Sequence, residues 1–199
     1  GSPETDVILG DHLPTIQESR NRYDINFDSY VIFCFHPVVS EKSNLTTQLN
    51  EIVKFLEEIN ENIIWIMPNN DNGRDKIIKE FKRSNKLKFK SYPSIRFEHY
   101  LTILKNAKVI IGNSSSGIRE APILGTPTLD IGSRQNGRSL SESILNSKSN
   151  YNSLMKSWSE ILLMSNKKFS DKSFGDGNVA SFIFKKIMKL DIKKINIQK

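Results

Sequence analysis

Strand-length apolar runs alternate with helix-length periodic segments along most of this chain, and few architectures accept that order. Ser29–Phe35 (Ser-Tyr-Val-Ile-Phe-Cys-Phe) is a near-continuous apolar run rich in β-branched and aromatic residues, as befits a strand covered by helices on both faces. From Asn44 to Asn60, Leu45, Leu49, Ile52, Val53, Leu56 and Ile59 recur at steps of three and four, which predicts one apolar helical stripe with Glu and Lys opposite. A second buried strand at Asn62–Met67 runs into the turn-forming cluster Pro68-Asn69-Asn70-Asp71-Asn72-Gly73, and a helix is expected over 73–84. Next come a strand at Lys86–Ser91, a helix at Phe97–Asn106, a strand at Lys108–Ile111, a helix at Ile118–Leu124 and a strand at Thr126–Ile131. A short strand near Ser143–Leu145 precedes helices near Tyr151–Ser165 and Asn178–Leu190. Five or six strands follow from this order. They make an α/β fold, a Rossmann-like parallel sheet flanked by helices, whose right-handed crossovers place a ligand at the carboxyl ends of the strands. The only candidate linker is Lys167–Asp176, so residues 1–199 read as one domain.

Composition excludes most other classes. With 37% hydrophobic and 26% charged residues, the chain is neither disordered nor fibrous. The single Cys34 cannot close an internal disulfide, and no apolar stretch approaches the roughly 20 residues that span a bilayer, so a reducing cytoplasm is expected and no membrane partner. The net charge of +7 and pI near 9.4 draw polyanions. Much of that charge is Lys interleaved with apolar residues, in Lys76–Lys90 and Lys185–Lys199, the pattern of a solvated helix face. No arginine-rich arm, zinc-finger spacing or aromatic platform points to nucleic acid. The opening Gly1-Ser2-Pro3-Glu4-Thr5-Asp6 has neither an initiating Met nor a leader, as in a fragment of a longer protein.

The densest chemistry lies in Gly112-Asn113-Ser114-Ser115-Ser116-Gly117-Ile118-Arg119-Glu120-Ala121, where a strand empties into a glycine-flanked hydroxyl-rich turn that starts a helix. Unpaired amides at a helix start attract phosphate, serine hydroxyls add donors, and the glycines admit close approach. The alternative is a serine-capped helix start with no ligand. The segment matches neither the Walker pattern nor the dinucleotide fingerprint, which disfavours an ATPase or a dehydrogenase. Glu120 can take two vicinal ribose hydroxyls or merely complement the helix dipole. His36 ends the first strand ahead of Pro37, where it can donate to a pyrophosphate or carry a proton. His12 and His99 lack such a setting, and the histidines have no metal-ligand spacing, so no metal is expected. Arg134 and Arg138, in Gly132-Ser133-Arg134-Gln135-Asn136-Gly137-Arg138, can close a guanidinium over phosphate or simply decorate a loop. Phe174-Gly175-Asp176-Gly177-Asn178 reads as a turn with an Asn cap.

Taken in order, Phe35-His36-Pro37-Val38, Pro68-Asn69, the Gly112–Pro122 segment, Gly125-Thr126-Pro127, the Gly132–Arg138 loop and Phe174–Asn178 resemble the carboxyl-terminal half of UDP-N-acetylglucosamine 2-epimerases. His-Pro-Val and Arg-Gln-Asn-Gly-Arg look like the hydrolysing branch, which makes N-acetylmannosamine for sialic-acid-type sugars. The resemblance implies one half of a GT-B-type two-domain fold, with a missing amino-terminal domain as partner and a homodimer as a common family state. It implies UDP or a UDP-sugar as ligand and no cofactor. It carries UDP contacts onto His36, Asn69, Ser94, Ser114, Ser115, Glu120 and Arg134: phosphate for the two serines, ribose for Glu120, and the neighbourhood of uracil for Ser94. His36 is the one catalytic candidate, because the family's acid and base carboxylates come chiefly from the absent half. The implied chemistry is anti elimination of UDP followed by hydration, with UDP binding but no turnover expected of these 199 residues alone. The donor half of a GT-B glycosyltransferase and a non-enzymatic nucleotide-sugar sensor are the competing readings.

Overall fold

The computed structural model describes residues 1–38, 44–138, 141–164, 169 and 171–190. Its centre is a six-stranded, wholly parallel sheet in the order β3-β2-β1-β4-β5-β6. The strands are β1 (Val31–Cys34), β2 (Asn62–Ile66), β3 (Lys88–Tyr92), β4 (Ile110–Gly112), β5 (Thr128–Ile131) and β6 (Ile144–Ser147). Every residue of β1 and β5 is buried, because helices cover both faces of the central strands.

On one face, α3 (Leu45–Ile59), α4 (Arg74–Arg83) and α8 (Tyr151–Met164) contribute the larger core. There Phe81 stacks on Phe33 at 4.8 Å and on Trp65 at 4.4 Å. The Leu45, Leu49, Ile52 and Leu56 stripe read from the sequence is buried in that core. On the other face lie α2 (Ile16–Tyr23), α5 (Phe97–Lys105) and α7 (Ala121–Leu124), which pack on Ile32, Ile64 and Ile110. There the Tyr30 hydroxyl donates to the Ile103 carbonyl at 2.9 Å.

Two amino-terminal helices were not anticipated: α1 (Glu4–Ile8) and α2. The start of α2 had a signal, since Thr15 and Glu18 form a reciprocal capping box. The single helix expected at Ile118–Leu124 is instead two short ones, α6 (Ser116–Arg119) and α7. Pro122 has no N–H to carry the first helix onward, so the ladder restarts after Glu120. The expected linker at 167–176 and the ends at Ser139, Ser165 and 191–199 fall wholly or partly outside the described residues.

The last helix, α9 (Val179–Met188), takes its cap from far away. Asn178 makes no side-chain cap bond; the Asp6 carboxylate accepts from the Val179 and Ala180 N–H groups at 2.8 and 2.7 Å. Beyond Val179 the helix leaves the domain, exposing Phe182, Ile183, Phe184, Ile187 and Met188. Among the described residues no helix is long and apolar enough to cross a membrane.

Candidate functional site

In a doubly wound sheet the ligand crevice opens where the strand order reverses, here between β1 and β4. Just past the ends of those strands stand His36 and Asn113, which are 6% and 1% exposed. The Asn113 side chain ties them together: its Oδ1 accepts from the His36 N–H at 2.7 Å, and its Nδ2 donates to the His36 carbonyl at 2.8 Å. The Asn113 carbonyl in turn accepts from Arg134 Nη1 at 2.9 Å and from Gln135 Nε2 at 2.7 Å. The loop after β5 is thereby pinned to the loop after β4. Arg138 reaches the same knot through the Gln135 side-chain oxygen at 3.2 Å.

The His36 ring is held on both nitrogens. Nδ1 accepts from the Asn69 N–H at 3.4 Å, and Nε2 faces the Cys34 sulfur at 3.4 Å. With Nδ1 accepting, the ring proton sits on Nε2. Burial, then the Arg134 charge, holds the histidine below its ordinary value, so the ring is neutral. Burial pushes the Cys34 thiol up to about 11, which makes it an inert packing group rather than a nucleophile.

Gly112 lets the strand ends come this close. Its φ is +138°, and a Cβ there would lie 2.0 Å from the Cys34 carbonyl oxygen. Beyond it, the Ser114 hydroxyl accepts from the Ser116 N–H at 3.3 Å, Ser116 pairs with the Tyr100 hydroxyl at 2.6 Å, and Ser115 is exposed at the tip. Because α6 has four residues, the helix dipole expected to hold an anion is reduced to one turn. Positive charge at the crevice comes from the Arg134 guanidinium instead.

The sequence-derived residues thus fall into three groups. His36, Asn69 and Arg134 meet around Asn113, with Ser114 and Ser115 beside them on the loop after β4. Glu120 sits at the α6–α7 junction, with Oε2 buried and unpaired among the described residues and its carboxyl raised above the usual range mainly by burial. Ser94 lies apart, exposed in the turn after β3, two strands from β1.

Three residues were missed. Asn113 and Gln135 act through long-range bonds that no local pattern reveals. Asp130, on β5, is 1% exposed, and neither carboxylate oxygen has a hydrogen-bond partner among the described residues. Burial pushes its carboxyl up to about 6, against a lowering by Arg134. A carboxyl between Leu129 and Ile131, in a strand expected to be buried, was the signal for it.

An exposed serine loop, a guanidinium and a neutral histidine at a parallel switch point suit a ligand with several anionic oxygens. The sequence profile of one family, described as UDP-N-acetylglucosamine 2-epimerase, matches residues 1–188. A relative from Neisseria meningitidis serogroup B, named UDP-N-acetylglucosamine 2-epimerase, is 43% identical over 145 residues, 73% of this chain and 38% of its own length. A Legionella pneumophila protein named UDP-N,N'-diacetylbacillosamine 2-epimerase (hydrolyzing) is 28% identical over 187 residues, 90% of this chain and 48% of its own. The Methanocaldococcus jannaschii UDP-GlcNAc 2-epimerase, solved in complex with UDP-GlcNAc and UDP, superposes with a TM-score of 0.68 at 20% identity, covering 92% of this chain and 53% of that one. The chain therefore spans about half the length of these relatives or less, and its fold is one half of the GT-B type.

Proposed function

Since this chain belongs to the UDP-N-acetylglucosamine 2-epimerase family, we propose that it is the UDP-binding half of a hydrolysing member, which converts UDP-GlcNAc and water to N-acetylmannosamine and UDP in the cytoplasm. The observation that carries this is the knot at the switch point, where one buried asparagine at the head of the serine loop ties His36 to Arg134. The His-Pro-Val and Arg-Gln-Asn-Gly-Arg segments, with the hydrolysing relative, favour that branch.

The reaction removes the proton at sugar carbon 2 and breaks the bond from carbon 1 to the UDP oxygen, giving a glycal to which water adds. The negative charge that develops falls on the departing diphosphate. Arg134 and the donors of Ser114 and Ser115 face that charge, and His36, neutral beside them, flanks the leaving group without adding a full charge. Glu120 takes the ribose hydroxyls with its unpaired oxygen, Asn69 flanks the nucleotide, and Ser94, at the β3 edge, is assigned to the uracil end. The base at carbon 2 belongs to the other half of the protein. The apolar side chains of α9, beside the anchored amino-terminal segment, support a second lobe packing there.

Calorimetric titration tests the assignment. The chain binds UDP, and Arg134→Ala weakens it about tenfold, close to 1.4 kcal/mol, while Gln135 still holds the Asn113 carbonyl. Ser115→Ala and Glu120→Ala weaken binding by smaller factors. Incubated with UDP-GlcNAc, the 199 residues release neither UDP nor N-acetylmannosamine. Equal UDP affinity in all four proteins would remove the assignment, and turnover by the chain alone would remove the division of labour.

A further inference from the structure

The last residue of β1 is Cys34, which is 4% exposed and stands beside Gly112 in the register of β1 with β4. Side chains two apart on a strand share a face, so the sulfur lies on the same side as the His36 ring. Two polar groups meet it there. His36 Nε2 stands 3.4 Å away, and the Ser114 side chain is hydrogen-bonded to it. The reaction as described above gives neither contact a task.

The proton positions along these contacts follow in order. His36 Nδ1 accepts from the Asn69 N–H at 3.4 Å, so Nε2 carries the ring proton and donates it to the sulfur. Burial keeps the thiol protonated, and the state that denies Cys34 a nucleophile's part gives it a proton to donate. With Nε2–H on one side of the sulfur, that S–H turns to the Ser114 Oγ. The same oxygen accepts from the Ser116 N–H at 3.3 Å. Both lone pairs of Ser114 are then engaged, and its hydroxyl proton is left to donate to a ligand. Ser116 is itself tied to the Tyr100 hydroxyl at 2.6 Å, which steadies the residue whose amide makes this bond.

We propose that Cys34 is a positioning residue of the nucleotide site, its sulfur carrying a one-way chain of hydrogen bonds from His36 to Ser114 that aims the serine hydroxyl at an anionic oxygen. The inference deepens the UDP reading above and rests on it, since Ser114 is there assigned to the diphosphate. Without the thiol, the Ser114 hydroxyl is free to rotate, and over part of its range it presents a lone pair to the phosphate, which repels it. The His36 ring loses the acceptor of its Nε2 proton at the same time. An apolar side chain of similar size would fill the space without setting either direction.

The test titrates UDP into the chain and into Cys34→Ala, Cys34→Ser, Ser114→Ala and the Cys34→Ala/Ser114→Ala pair. Cys34→Ala weakens UDP binding about fivefold, the scale of one neutral hydrogen bond. Cys34→Ser gives up the sulfur's volume but keeps a donor and an acceptor, and stays within about twofold of wild type. Adding Cys34→Ala to Ser114→Ala costs less than about twofold more, because the bond it would break is already gone. Melting of every variant above the titration temperature is the folding control. A second measurement needs no substitution at Cys34: nitrogen NMR of the His36 ring in wild type shows the proton on Nε2. Undiminished UDP binding by Cys34→Ala, Cys34→Ser as weak as Cys34→Ala, full additivity in the pair, or a ring proton on Nδ1 overturns the role of Cys34 alone. Failure of wild type to bind UDP overturns the nucleotide reading and this inference with it.

Discussion

Gly112→Ala is expected to lower the stability of this domain by about 4 kcal/mol, through backbone strain at a positive φ and overpacking against a fixed atom. The added Cβ would stand 2.0 Å from the Cys34 carbonyl oxygen at a φ of +138°. That carbonyl cannot swing aside, because it accepts from the Asn113 N–H at 3.1 Å and belongs to a buried central strand. Relief must therefore come from separating β1 and β4, which also loosens the Asn113 bonds to His36. The midpoint of thermal unfolding should fall by roughly 8–16 °C for a domain of this size. Gly137→Ala is the internal comparison: its φ is +74° but no atom of the described residues lies within 4 Å, so only a left-handed backbone cost of about 1 kcal/mol applies. Equal melting of the two variants would show that the close approach at Gly112 is not what the fold depends on.

Asp130→Asn works in the opposite direction and should stabilise the chain at pH 7.5 by about 2 kcal/mol. The carboxyl is 1% exposed, lacks a hydrogen-bond partner among the described residues, and is raised from 3.8 to about 6 by burial. The folded state thus holds this proton more tightly than the unfolded chain does. No penalty exists well below pH 3.8; it grows as pH rises toward about 6 and is complete above that. Asparagine keeps the shape without the charge, and its own unpaired amide subtracts from the gain. Urea unfolding across pH should show the two proteins diverging between those limits, with wild type the less stable above them. Parallel curves would mean that the carboxylate is solvated or paired in solution.

Much of the sheet was legible because burial on both faces writes itself as unbroken apolar runs, as in Ser29–Phe35 for β1. The α3 stripe was equally plain, since one face of that helix meets the core and the other meets water. The approximate position of the site followed from the strand ends that carry His36 and Ser114. The bonds that make it a site did not, because Asn113 meets His36 across 77 residues and Asp6 caps α9 across more than 170. Such pairings depend on the strand order, which a local pattern cannot state. The break at Glu120 lay in plain sight at Pro122, but a helical apolar pattern outweighed it. That Ser94 stands at the β3 edge of the sheet likewise follows only from the strand order.

The central claim is that the opening framed by the loops after β1, β4 and β5 receives a diphosphate. A crystal of this chain soaked with UDP tests it most directly. The account predicts phosphate oxygens within hydrogen-bond distance of the Arg134 guanidinium and the Ser114–Ser115 loop, with the ribose at Glu120. Density for UDP elsewhere, with Arg134 still closed on the Asn113 carbonyl and the serine loop empty at saturating ligand, would contradict it.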